Sequence, residues 1–240
     1  MKVMEIKGLR KQYPNFALKD VSFTLQSGTI MGFIGRNGAG KTTTLKSILN
    51  LVHPDGGEIR FFEKDLSSNE EEIKQRIGFA GGAASFFKKK KIKDIVAVTK
   101  TFYQNWDDSA WEHYRDVFKL VEDKTPEQLS EGMKVKFNIA IALSHCAELL
   151  ILDEPTSGLD PVSREELLDI FNQLKQKGVS LLFSTHITSD LEKCADIITY
   201  IKNGEILDST SLPDFLEKNR DKGTTLEDIM TAYEKEEIIL

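Results

Sequence analysis

Two patterns of apolar and polar residues share this chain. Short runs that are apolar nearly throughout and rich in β-branched side chains occur at Thr29–Ile34, Leu149–Leu152 and Val179–Phe183. A strand with no polar face must be buried on both, which predicts a parallel sheet with helices packed on each side. Residues 3–25 and 57–62 instead alternate apolar with polar positions, and Gly28 and Gly56-Gly57 mark turns. Such alternation leaves one face for solvent and predicts a smaller antiparallel sheet. Ile197–Ile201 and Glu205–Leu207 flank Lys202-Asn203-Gly204, and Asn-Gly between strands specifies a hairpin turn. From about residue 87 to 146 strand signals disappear, and the spacing predicts helices over 92–103, 108–121 and 131–145, with a loop at 123–127 around Pro126. The tail from Ser211 predicts two short amphipathic helices. The expected plan is one unit over 1–240. An α/β core and antiparallel β subdomain take 1–86 and 147–210, a helical subdomain is inserted at 87–146, and helices close the chain at 211–240.

Composition narrows the function classes. Apolar residues make up 40% and charged residues 29% of 240, which reads as one soluble globular domain. Lys and Arg total 32 against 38 Asp and Glu, a net charge of -6. That balance argues against a basic face for nucleic acid. Cys146 and Cys194 are the only cysteines, too few for a disulfide framework or a four-cysteine zinc site, and read as idle thiols in a reducing cytosol. Behind Met1–Glu5 there is no apolar run of the kind a signal peptide needs. No stretch approaches the roughly 18 apolar residues of a membrane span, so service to a membrane requires a partner. Lys88–Lys91 is the one charge run. It reads first as solvated surface, and second as a contact for a partner or an anionic membrane.

The chemistry begins at Gly35-Arg36-Asn37-Gly38-Ala39-Gly40-Lys41-Thr42, which fits G-x-x-x-x-G-K-[ST] at every fixed position. A polyphosphate needs many donors close together. Glycines let the backbone wrap the phosphates with N–H groups pointing inward, and a helix start adds its positive end. Lys41 can reach the β- and γ-phosphates and the Thr42 hydroxyl can ligate Mg²⁺. The setting is right, with an apolar strand before the motif and a predicted helix, Lys41 to Asn50, after it. Candidate nucleotide contacts are therefore Asn37, Gly38, Ala39, Gly40, Lys41, Thr42 and Thr43.

A second element completes the chemistry. Leu149-Leu150-Ile151-Leu152-Asp153-Glu154 is an apolar strand that ends in two carboxylates. Neighbouring side chains leave a strand in different directions. In P-loop folds a carboxylate at this place meets Mg²⁺ through water, which suits Asp153. Glu154 then lies nearer the γ-phosphate, where it can polarise an attacking water.

With these residues in place the chain resembles the ATPase subunits of ATP-binding cassette (ABC) transporters from Val3 to about Leu226. Leu129-Ser130-Glu131-Gly132-Met133 is similar to the family's signature sequence, Ser157-Gly158-Leu159-Asp160 to the loop after the acidic pair, and Ser184-Thr185-His186 to the switch histidine. Tyr13 stands where the family places an adenine-stacking aromatic. The resemblance implies a RecA-like P-loop NTPase fold, ATP and Mg²⁺ as ligands, and Glu154, His186 and Lys41 as catalytic residues. It also implies head-to-tail pairing, as homodimer or heterodimer, that sandwiches ATP between the phosphate loop of one subunit and Ser130 and Gly132 of the other, with Asp160 linking the sites. The implied partner is a transmembrane permease subunit, which places the chain in the cytoplasm against the inner face of the membrane. Two positions depart from the family. Gly82 falls where the loop that meets the permease usually has a glutamine, with Ser85 or water as substitutes. Glu131 replaces the signature's first glycine and is expected to point away from the phosphate. The segment Phe102–Asp107 is similar to bacterial exporter ATPases of the type encoded beside GntR-like regulators. The competing reading is a soluble ABC ATPase acting on ribosomes or nucleic acid. A small-molecule kinase or GTPase leaves the signature and the switch histidine unexplained.

Overall fold

A computed structural model describes residues 1–81, 87 and 89–235. Gly82, Ser85 and Lys88 lie outside the described residues. Two sheets form. The alternating segments become β1 (Lys2–Tyr13), β2 (Phe16–Gln26), β4 (Gly56–Phe61) and the short β5 (Lys64–Asp65), in the order β2-β1-β4-β5. Every described pairing within this sheet is antiparallel. The apolar runs become β3 (Ile30–Ile34), β7 (Leu149–Asp153) and β8 (Ser180–Thr185), joined by β6 (Ile77–Gly81), β9 (Ile197–Lys202) and β10 (Glu205–Ser211). Their order is β10-β9-β3-β8-β7-β6, parallel throughout except for the β9–β10 hairpin.

Strand alternation divides the core into two clusters. Met31, Phe33, Leu149, Ile151 and Leu182 point towards the antiparallel sheet and the first helix, α1 (Lys41–Ile48). Ile30, Ile34, Leu150, Leu152, Leu181 and Phe183 point the other way, into the helices from Ile92 onward. Both faces of the parallel sheet are therefore covered, as its unbroken apolar strands require.

Helices follow in chain order. A helix at Leu66–Gln75, α2, goes beyond the sequence expectation. It buries only Leu66 and Ile73, and its start is fixed by Asp65 accepting from the Ser67 N–H. The insert carries α3 (Ile92–Thr99), α4 (Asp108–Val117) and α5 (Glu131–Ser144). Two of these stop short of the expected ends. The stretch predicted to run to 103 turns into a 3₁₀ segment at Lys100–Phe102, and α4 ends before Lys119, whose φ is 54°. The remaining helices are α6 (Pro161–Gln176), α7 (Thr188–Cys194), α8 (Leu212–Lys218) and α9 (Leu226–Lys235). No helix among the described residues is long and apolar enough to cross a membrane.

The insert is fastened to the sheet domain by a polar knot beside β6. The His145 ring stacks on Tyr103 at 3.7 Å between centroids, and its Nδ1 lies 3.1 Å from the Gln75 carbonyl at the end of α2. The Gln75 side chain grips the 102–104 backbone, donating to the Phe102 carbonyl at 2.8 Å and accepting from the Gln104 N–H at 2.9 Å.

Candidate nucleotide-binding site

Register alone gathers the site. Ile34 pairs with Thr185, Asp153 with Ser184 and Gly81 with Asp153, so the carboxyl ends of β3, β8, β7 and β6 finish level. The phosphate loop, Glu154 and His186 all leave the sheet from this edge, where open α/β sheets bind their ligands. A cleft of about 650 Å³ opens there. Asn37, Gly38, Gly40, Lys41, Thr42 and Thr43 line one side, and Glu154, Ser157 and His186 another. Ala39 is buried behind the loop, so its contribution is backbone. Gly40 has φ 116°, and a Cβ there would stand 2.8 Å from the Phe16 ring, so only glycine lets the loop close on that aromatic.

The charged groups are already organised. Lys41 is 5% exposed. Its ammonium donates to the Gly35 carbonyl at 2.7 Å and the Arg36 carbonyl at 3.3 Å, and lies 3.3 Å from the Glu154 carboxylate. The other Glu154 oxygen is 2.8 Å from His186 Nδ1. Thr42 donates its hydroxyl to Asp153 at 2.9 Å. The two carboxylates do diverge, Asp153 towards Thr42 and Glu154 towards Lys41 and His186. Glu154 achieves this in the left-handed region, with φ 52°. Its N–H is held by the Ser184 carbonyl at 3.1 Å and the Ser184 hydroxyl at 3.0 Å, and that hydroxyl donates to Asp153 at 2.5 Å. Strain of this kind persists only where the surroundings enforce it.

Known proteins resemble the chain in sequence and in fold. Residues 18–157 fit the family model described as ABC transporter. The chain belongs to that family. It is similar to the bacitracin transport ATP-binding protein BcrA of Bacillus licheniformis, 32% identical over 222 residues covering 91% of this chain and 72% of that protein. It is also similar to the lantibiotic transport ATP-binding protein SrtF of Streptococcus pyogenes, 33% identical over 95% of each chain. A solved structure described as the ATP binding subunit of an ABC transporter superposes with a TM-score of 0.85 at 28% identity, over 95% of this chain and 98% of the other. The protein is a transport ATPase subunit that binds and hydrolyses ATP. The ribosome and nucleic-acid reading is set aside.

Within this ABC cassette, other sequence-singled residues stand apart from the cleft. Ser130, Gly132 and Asp160 are not among its lining residues. Ser130 caps α5, accepting from the Met133 N–H at 3.3 Å, and Gly132 packs towards Leu159 and Ser163. Asp160 caps α6, accepting from the Val162 and Ser163 N–H groups and the Ser163 hydroxyl. Those bonds, the Ser163 hydroxyl first, hold its carboxyl below the usual range. Glu131 pairs with Lys134 at 2.6 Å on the exposed side of α5, and Ser130 supplies the helix cap. Tyr13 ends β1, 38% exposed and outside the lining. Its register partner Phe16 lines the cleft.

Sequence reasoning missed Phe16, Asn15, Arg36 and the orienting role of Ser184. Phe16 carried the weak signal of an aromatic near the turn. The Ser184 contacts are tertiary and left no mark in the spacing.

Proposed function

We propose that Lys41, Thr42, Asp153, Glu154 and His186 form the hydrolytic centre of this cassette, with Glu154 as the group that orients and polarises the attacking water. The observation that carries this reading is the placement of the Glu154 carboxylate between Lys41 and His186 at the mouth of the phosphate loop. Hydrolysis adds water to the γ-phosphorus and breaks the bond to the β-phosphate oxygen. Lys41 and the loop N–H groups hold the phosphates, and His186 keeps Glu154 aimed. Thr42 and Asp153 present paired hard oxygens, the donor chemistry that suits Mg²⁺. They are the residues that would hold it, where it supplies charge neutralisation at the phosphates. The adenine base lies against the β1–β2 turn, at Tyr13 and Phe16.

Ser130, Gly132 and Asp160 serve the partner subunit's ATP in a head-to-tail pair. Ser130 and Gly132 sit at a helix start, which favours an anion, and they do not line their own chain's cleft. The division at 87–146 follows the same reading, with the helical insert as the arm that carries the signature. The relatives named for bacitracin and lantibiotic transport support export through a separate transmembrane permease, which would hold this subunit at the inner face of the membrane. A Glu154→Gln variant tests the centre. It should bind ATP, lose at least about 100-fold in turnover and accumulate as an ATP-dependent dimer on sizing. Normal turnover by a monomeric variant would remove Glu154 from the role.

A further inference from the structure

Behind the cleft lies a charge that the site as described does not use. Asp190 on α7 is 1% exposed, and neither of its carboxylate oxygens has a hydrogen-bond partner among the described residues. The cation that faces it is Arg164 on α6, whose Nε is 4.0 Å from Asp190 Oδ1 and is likewise buried without a partner. A guanidinium–carboxylate hydrogen bond spans about 2.7–2.9 Å, so this pair is open by about 1 Å. Native proteins leave few buried polar groups unpaired, and an isolated buried carboxylate is strongly unfavourable. The arrangement therefore favours any shift that brings the two together.

The two residues sit where such a shift matters. Arg164 is in the first turn of the helix that Asp160 caps, and its guanidinium also reaches the Leu159 carbonyl at 3.5 Å. Asp190 is four residues after His186, in a helix that begins at Thr188. Helices α6 and α7 pack together, and Lys193 and Glu165 tie them at the surface. Closing the gap would draw the Ser157–Asp160 turn and His186 towards each other across the cleft that both line through Ser157 and His186.

We propose that Arg164 and Asp190 are a positioning pair for ATP hydrolysis, held apart in this structure and closing to direct contact when the cassette grips ATP, which sets His186 against the 157–160 turn. The proposal rests on His186 acting with Glu154, and a His186→Ala control separates the two claims.

The test is a double-mutant cycle of Arg164→Met and Asp190→Asn, reading kcat and KM for ATP hydrolysis and the melting temperature without nucleotide. Each single variant should lower kcat about tenfold, with KM within about twofold, and the double variant should be no worse than either single one. Asp190→Glu, one methylene longer, should keep most of the turnover. Asp190→Asn should melt at or above the parent temperature, because it removes a buried charge that has no hydrogen bond and leaves the Arg164 guanidinium its contact with the Leu159 carbonyl; a merely structural pair would show a loss. Additive effects on kcat, unchanged turnover in the singles, or an Asp190→Asn chain that melts lower or fails to fold would each overturn the proposal. A His186→Ala variant with normal turnover would instead overturn the histidine's role, and any kcat loss in the pair variants would then act elsewhere.

Discussion

Two histidines in this cassette have opposite surroundings, and the contrast fixes what each can do. His186 is half-exposed beside a carboxylate and in reach of the cleft. His145 is 1% exposed, and burial pushes its pKa down to about 4. In the unfolded chain an imidazole titrates near about 6.5. Between those values the unfolded state binds the extra proton, so the stability His145 contributes is present in full above about 6.5 and is lost as the pH falls through the window towards 4. Unfolding free energy should drop by about 2 kcal/mol between pH 7 and pH 5 from this residue. Denaturant titrations of the parent and of His145→Gln check it, since the variant should lose that part of the slope. An identical pH dependence in both would place the buried proton elsewhere. Because His145 holds Tyr103 and the end of α2, acid should loosen the insert before it touches the phosphate loop.

At the scale of elements, the β9–β10 turn ties more together than its length suggests. Gly204 has φ 79°, and a Cβ there would stand 1.8 Å from the Ala17 carbonyl oxygen of β2. Its N–H donates to the Ala39 carbonyl in the phosphate loop at 2.9 Å, and its own carbonyl accepts from Lys19 N–H at 2.8 Å. Gly204→Ala should therefore cost about 3 kcal/mol or more and weaken ATP binding in the fraction that folds. Chemical denaturation with a nucleotide-binding assay measures both. The hairpin itself was legible from Asn203-Gly204, and the parallel strands from their unbroken apolar runs. Helix ends were less so, because residues such as Asn50 and Lys119 adopt positive φ with no glycine to announce it. α2 was illegible for a different reason. With two buried residues in ten, its periodic signal is too thin to separate from a polar loop. The acidic pair and the phosphate loop could be read from spacing, whereas the Ser184 clamp on the Asp153 carboxylate and the Glu154 N–H exists only once β7 and β8 pair.

For the whole molecule, the proposed head-to-tail reading gives the chain the donors for one ATP and, outside that cleft, the signature residues for a second. That division predicts complementation between two inactive forms. A Lys41→Ala chain lacks a working phosphate loop, and a Ser130→Arg chain has a blocked signature. Each should be inactive alone, and a mixture should regain part of the parent turnover, because the mixed pair holds one intact composite site. A mixture as inactive as its components would argue against head-to-tail pairing. The Gly204 turn also bears on the order in which the molecule is made. Synthesis runs from the N-terminus, so the phosphate loop leaves the ribosome long before the residue that pins its Ala39 carbonyl. Until residue 204 is made, the phosphate loop lacks the donor that holds its Ala39 carbonyl. Chains truncated before Gly204 should therefore bind ATP more weakly than the full chain, which a nucleotide-binding assay on such truncations measures.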